Sequence, residues 1–100
     1  MKKLLIAILL IISSAANAEF CDDVVGMSYA LMQARQSGID QKKLISSLNF
    51  KDKQLQELFV SIAKDAYKEP KYNTENSKEL ISLKFADKYK QMCVDAENGK

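Results

Sequence analysis

Leu55-Gln56-Glu57-Leu58-Phe59-Val60-Ser61-Ile62-Ala63-Lys64-Asp65-Ala66-Tyr67-Lys68-Glu69-Pro70 carries the cleanest helical signal in the chain. Leu55, Leu58, Phe59, Ile62, Ala63, Ala66 and Tyr67 recur at i, i+3, i+4, i+7, i+8, i+11 and i+12, so one side of a helix is apolar for three full turns. Asp52 can cap its start. Pro70 stops it, because proline lacks the N–H of a continuing helix and restricts Glu69 to extended geometry. The spacing predicts a helix over residues 53–68.

The same period recurs on both sides of this helix. Asp40 is a plausible N-cap for a short helix whose Leu44, Ile45 and Leu48 form a small apolar face before Asn49-Phe50. Upstream, Val24, Met27, Ala30 or Leu31, and Ala34 repeat at helical spacing over residues 22–37, and Gly38 follows as a stop. Asp22 and Asp23 at its start and Arg35 near its end match the helix dipole. Downstream, residues 69–73 read as a connection, Thr74 or Asn73 caps a fourth helix, and Glu75 sits in its first turn. There Ile81, Phe85, Tyr89 and Met92 share a face, with Leu80 and Cys93 beside it. No segment alternates like a strand. The expectation is an all-α, four-helix domain with one helix short and antiparallel neighbours.

The chain has 100 residues, no repeat and no Pro/Gly-rich linker, so one domain accounts for it. It opens with Met1-Lys2-Lys3, continues with nine unbroken apolar residues at positions 4–12, and then reads Ser13-Ser14-Ala15-Ala16-Asn17-Ala18. That is the form of a secretory signal peptide with an A-x-A site, and cleavage is expected after Ala18. A membrane anchor is the alternative, but spanning a bilayer takes about 20 apolar residues and this run is less than half as long. Lipid anchoring would need Cys directly after the cut, where Glu19-Phe20 stand instead. The expected organisation is a leader over residues 1–18 and a mature helical domain over residues 19–100. The destination is the periplasm or the exterior.

Removing the leader takes away Lys2 and Lys3, leaving 13 basic residues (Arg35 and twelve Lys) against 13 acidic ones. The mature domain is neutral, with its signs interspersed. It has no electrostatic footprint for a phosphate backbone and little attraction to an anionic membrane, so neither nucleic acid nor stable membrane insertion is expected.

Eighty-two residues make a core of modest stability, for which a covalent staple helps. Cys21 and Cys93 are the only cysteines, and in an oxidising compartment they are expected to pair. Cys21 begins the first helix and Cys93 falls near the end of the fourth, which three crossings would bring to the same end of a bundle. Such a bond would tie the first helix to the last, and closing a loop of that length is worth at most about 4.4 kcal/mol in the chain-entropy account. A redox or metal-binding thiol pair is the alternative. It lacks C-x-x-C spacing, and no His or third Cys completes a zinc site.

The chain contains no His, which removes the usual general base, proton shuttle and nitrogen ligand. Ser61-Ile62-Ala63-Lys64 matches the S-x-x-K of penicillin-binding enzymes, but neither S-D-N nor K-T-G occurs, and 82 residues cannot build that scaffold. Ser61 and Lys64 are read as solvent-facing. Met27, Met32 and Met92 could supply thioethers to a soft metal, yet they form no M-x-M or M-x-x-M cluster, and core filling is the commoner use. Neither metal nor cofactor is expected. Carboxylates are scattered singly, and the adjacent pair Asp22-Asp23 diverges by about 100° on a helix. An enzyme is therefore not expected.

Three residues are candidate partner contacts. Arg35 is the only mature arginine and could recognise a carboxylate in bidentate fashion, although the helix dipole explains its position locally. Tyr67 and Tyr72 flank Pro70 as an aromatic edge. Tyr72 lies outside every apolar stripe, so it is either an exposed contact or packed over the end of the bundle.

Cys21, the run Met32-Gln33-Ala34-Arg35-Gln36-Ser37-Gly38, the segment Ala66-Tyr67-Lys68-Glu69-Pro70-Lys71-Tyr72, then Thr74-Glu75, Phe85 and Cys93 resemble small exported helical proteins of proteobacteria and their prophages, generally of unknown function. The resemblance spans nearly all of the mature chain. It implies an exported helical domain with paired cysteines and brings no catalytic residues or substrate. The functional expectation is a binder of another periplasmic or envelope protein: an inhibitor, an immunity factor or, from the resemblance alone, a prophage exclusion factor. The alternative is a periplasmic stress chaperone.

Overall fold

The computed structural model describes residues 14–98, and within them the chain is four α-helices with no strand. They are α1 (Ser14–Gln36), α2 (Gln41–Ser47), α3 (Lys53–Ala66) and α4 (Glu75–Glu97). The apolar run at residues 4–12, on which the leader expectation rests, lies outside the described residues.

Each helix end has a local cause. At the end of α1, the N–H of Ile39 reaches the Ala34 carbonyl at 3.1 Å and that of Gly38 reaches the Arg35 carbonyl at 3.1 Å. This double closure needs a left-handed residue, and Gly38 supplies it at φ 89°. Asp40 caps α2 by accepting from the Lys43 N–H at 3.2 Å, and Asp52 caps α3 by accepting from Gln54 at 2.8 Å and Leu55 at 3.2 Å. Thr74 caps α4 by accepting from Ser77 at 3.1 Å. Helix α3 ends at Ala66, two residues before the expected limit, in short turns from Lys68 to Asp65 and from Glu69 to Ala66 that lead into Pro70.

Helices α1 and α4 are an antiparallel pair that makes the most extensive contact in the fold. Cys21 and Cys93 are joined at one end, with Cα atoms 5.8 Å apart. Gln33 meets Ser82 at 2.8 Å further along, and Gln36 meets Tyr72 beyond the other end of α4. The residues between the two helices are small, with Ser28, Ser82 and Ala86 buried. Small side chains let helix axes approach, and each buried serine is satisfied by a carbonyl one turn back: Ser28 on Val24 at 2.7 Å, Ser82 on Lys78 at 2.8 Å. Helix α3 lies against α1 with Phe59, Ile62, Ala63 and Ala66 buried, and α2 covers the start of α3. Val24, Leu31, Met32 and Phe85 complete one continuous core.

Two expected faces are rotated from their predicted positions. On α4, Leu80 and Met92 are more than half exposed, while Ser82 and Ala86 take the buried positions beside Phe85. On α1, Ala30 is exposed and Met27 and Ala34 are half-buried, whereas Ser28, Met32 and Gln36 are fully enclosed. Where α1 and α4 meet, Gln33 pairs with Ser82, and the small Ser82 and Ala86 are enclosed beside Phe85, so side-chain size and polar pairing as well as periodicity set which positions are buried. Asp22 and Asp23 sit in the third turn of an α1 that begins at Ser14, beyond the first-turn reach of the dipole.

Candidate functional site

The three candidate contact residues converge at one end of the bundle, where α1 meets the α3–α4 connection. The Arg35 Nε–H donates to the Glu69 carbonyl at 2.9 Å, and its guanidinium lies 5.1 Å from the centre of the Tyr67 ring. The Tyr67 hydroxyl donates to the Ile39 carbonyl. Burial pushes this phenol up, with Asp40 adding to the rise and Arg35 opposing it. Arg35 and Tyr67 thus spend contacts on holding the connection to the end of α1. The Tyr72 side chain stays half-exposed over a shallow depression of about 100 Å³ with Ser77, Leu80, Ile81 and Lys84.

Between Arg35 and Tyr72 lies a residue that periodicity passes over. Gln36 is 2% exposed; its amide nitrogen donates to the Pro70 carbonyl at 2.9 Å and to the Met32 sulfur at 3.6 Å, and its amide oxygen accepts the Tyr72 N–H at 2.8 Å. Gln56 does the same for the α2–α3 connection, donating to the Leu48 carbonyl at 2.9 Å and accepting from the Phe50 N–H at 2.9 Å. An amide carries donors and an acceptor on one flat group, so a single side chain satisfies both polarities of a loop backbone.

A separate, apolar surface runs along α1. Phe20, Gly26, Met27 and Ala30 from α1, with Leu55 and Phe59 from α3 and Phe50 from the connection before it, line an open groove of about 410 Å³. Phe50 and Phe59 pack with ring centres 5.0 Å apart and planes tilted by 41°. Asp23 is the one charged residue in its lining. Gly26, in the middle of a helix, has no heavy atom within 4 Å of where a Cβ would stand, so the groove is open there for want of a side chain. Phe20 is 44% exposed at its edge.

Across α3 and α4, the Asp65 carboxylate accepts from the Lys88 ammonium at 2.6 Å and the Tyr89 hydroxyl at 2.7 Å. Burial pushes the carboxyl up, but these two hydrogen bonds and the charges of Lys88 and Lys68 outweigh it and leave the group below the usual carboxylate range. Burial and the Asp65 carboxylate both push the Tyr89 phenol far up, so Tyr89 is a neutral donor.

Ser61 and Lys64 are exposed on α3. Met32 is buried in the core, Met27 lines the apolar groove and Met92 is exposed on α4, so the three thioethers lie in different surroundings. The Glu97 carboxylate comes within 4.8 Å of both cysteine sulfurs, which are bonded to each other. Among the described residues no helix is long and apolar enough to cross a membrane. No protein-family model, curated protein sequence or solved structure matches the chain.

Proposed function

We propose that this is an exported, non-catalytic binding protein whose α1 groove receives an apolar helix face of another periplasmic or envelope protein. The single observation that carries the reading is the groove itself. Four aromatic or long apolar side chains, Phe20, Met27, Phe50 and Phe59, face one open trough on a domain small enough to need its apolar surface for its core. Aromatic and methionine side chains in a trough are the usual anchors of helix-in-groove recognition. The disulfide agrees with export into an oxidising compartment. An inhibitor, an immunity factor and a prophage exclusion factor all fit this description. Tyr72, with Leu80 exposed beside it, is a second contact patch; Gln36 holds its backbone, and Arg35 holds the connection just before it at Glu69.

The test is crosslinking capture from envelope extract with the oxidised protein, its Ala30→Glu variant and its Tyr72→Ala variant. Ala30 is exposed and lines the groove, so a charge there blocks docking without disturbing the core. One dominant partner lost with Ala30→Glu supports the reading, and the same partner retained by that variant counts against it.

The stress-chaperone reading has one observation in its favour. The Asp65 contacts with Lys88 and Tyr89 tie α3 to α4 and weaken when the carboxyl is protonated. That reading requires loss of tertiary structure at acid pH and suppressed aggregation of many clients, in place of one partner at neutral pH.

A further inference from the structure

We infer that the depression between α3 and α4 is a binding site for a doubly charged phosphate group, formed by Ser61, Lys64 and Lys68 of α3 and Lys88 and Tyr89 of α4. These residues, with Asp65 and Met92, line one open depression of about 460 Å³. Three lysines and one aspartate line the depression, with Lys88 paired to the Asp65 carboxylate, which leaves a local charge of two on a mature domain that is neutral as a whole. A monocarboxylate would neutralise only half of that excess, whereas a phosphate dianion matches it and offers acceptor oxygens to several donors at once.

The two walls differ in readiness. On the α4 side, Lys88 is fixed by Asp65 at 2.6 Å and lies 5.2 Å from the centre of the Tyr89 ring, so its ammonium is already placed. On the α3 side, the side chains of Ser61 and Lys64 make no hydrogen bond or ion pair with any described residue. Ser61 also leaves unused the bond to the carbonyl one turn back that Ser28 and Ser82 both make. Lys64 and Lys68 are four residues apart and so rise from one helix face. The same depression absorbs the S-x-x-K pair in a binding role, its lysine supplying charge and its serine a hydroxyl donor. Met92, more than half exposed at the rim, offers an apolar surface to whatever carries the phosphate.

The site is independent of the α1 groove, and the two are separable by experiment. The oxidised protein is titrated at low ionic strength with pyrophosphate while backbone amide and lysine resonances are followed. Saturable shifts confined to Ser61, Lys64, Lys68 and Lys88 are expected, with at least about a tenfold loss of affinity in the Lys64→Ala/Lys68→Ala double variant. Both lysines are exposed, so that variant keeps the fold. Co-sedimentation with vesicles of phosphatidic acid and phosphatidylcholine, lost in the double variant, would identify a lipid headgroup as the source. Saturable pyrophosphate binding without vesicle binding would identify a free phosphate ligand. Shifts spread over all lysines, affinity unchanged in the double variant, or saturable binding of an oligoglutamate peptide with none of pyrophosphate overturns the assignment.

Discussion

The amide oxygen of Gln36, at the last turn of α1, accepts the backbone N–H of Tyr72 at 2.8 Å, thirty-six residues away in sequence. The same amide donates to the Pro70 carbonyl, so one buried side chain fixes both ends of the three-residue segment Pro70-Lys71-Tyr72, which has no secondary structure of its own. Gln36→Leu keeps the bulk and leaves both backbone groups without a partner. The expected loss is about 2–4 kcal/mol of unfolding free energy, read as a lower urea midpoint. A loss under about 0.5 kcal/mol, the scale of an ordinary surface change, would show that the clamp contributes nothing.

Gly26 acts in the opposite sense. A glycine inside a helix costs roughly 0.5–1 kcal/mol relative to alanine, and a methyl group at this site meets no atom within 4 Å. Gly26→Ala should therefore raise the thermal midpoint while narrowing the α1 groove. If the groove is a docking site, the stabler variant binds its partner less well, and calorimetry beside a binding assay reads both.

Stability should depend on pH through Asp65. Its carboxyl titrates lower in the folded chain than in the unfolded one, so its contribution is complete above the unfolded value and is lost as pH falls through the folded one. The wild type is expected to lose its advantage over Asp65→Asn as the solution is acidified below about pH 4. Tyr89 gives the alkaline counterpart. Its folded value is raised, so its contribution is complete below the unfolded value of about 10 and declines as pH rises beyond it, a limb that Tyr89→Phe should remove. Parallel urea titrations across pH, with no difference between wild type and Asp65→Asn at any point, would contradict this.

Reduction of Cys21–Cys93 opens a loop with a sequence separation of 72. The expected loss is at most about 4.4 kcal/mol, since residual structure in the unfolded chain lowers the figure. The Cys21→Ala/Cys93→Ala variant should show a comparable fall in its urea midpoint and keep its helical circular dichroism below that midpoint. An unchanged midpoint would mean that the staple does not hold α1 to α4.

The fold was largely legible because its signals are local. The stripe from Leu55 to Tyr67, the caps Asp40, Asp52 and Thr74, the stops Gly38 and Pro70, and the pairing of Cys21 with Cys93 all appear as the residues suggested. What stayed hidden is held by pairs distant in sequence. Nothing around Gln36 or Gln56 marks an amide aimed at a loop, and nothing around Ser28 or Ser82 marks a seam where small polar residues displace Leu80 and Met92 from the core. The apolar groove was illegible for the same reason, because Phe20, Gly26 and Phe50 meet only once α3 has packed on α1. The phosphate site shares that origin, since Lys64 and Lys68 come from one helix and Lys88 from another.

A partner docked in the α1 groove would lie within reach of a photoreactive side chain placed at position 30. Position 30 faces the groove, and Lys90, exposed on α4, serves as the matched control. Illumination in envelope extract should give one dominant adduct from position 30, none from position 90, and none from position 30 once Met27 is replaced by Asp in a variant shown by circular dichroism to be folded. Equal adducts from both positions, or an adduct at position 30 that survives Met27→Asp, would contradict docking in the groove.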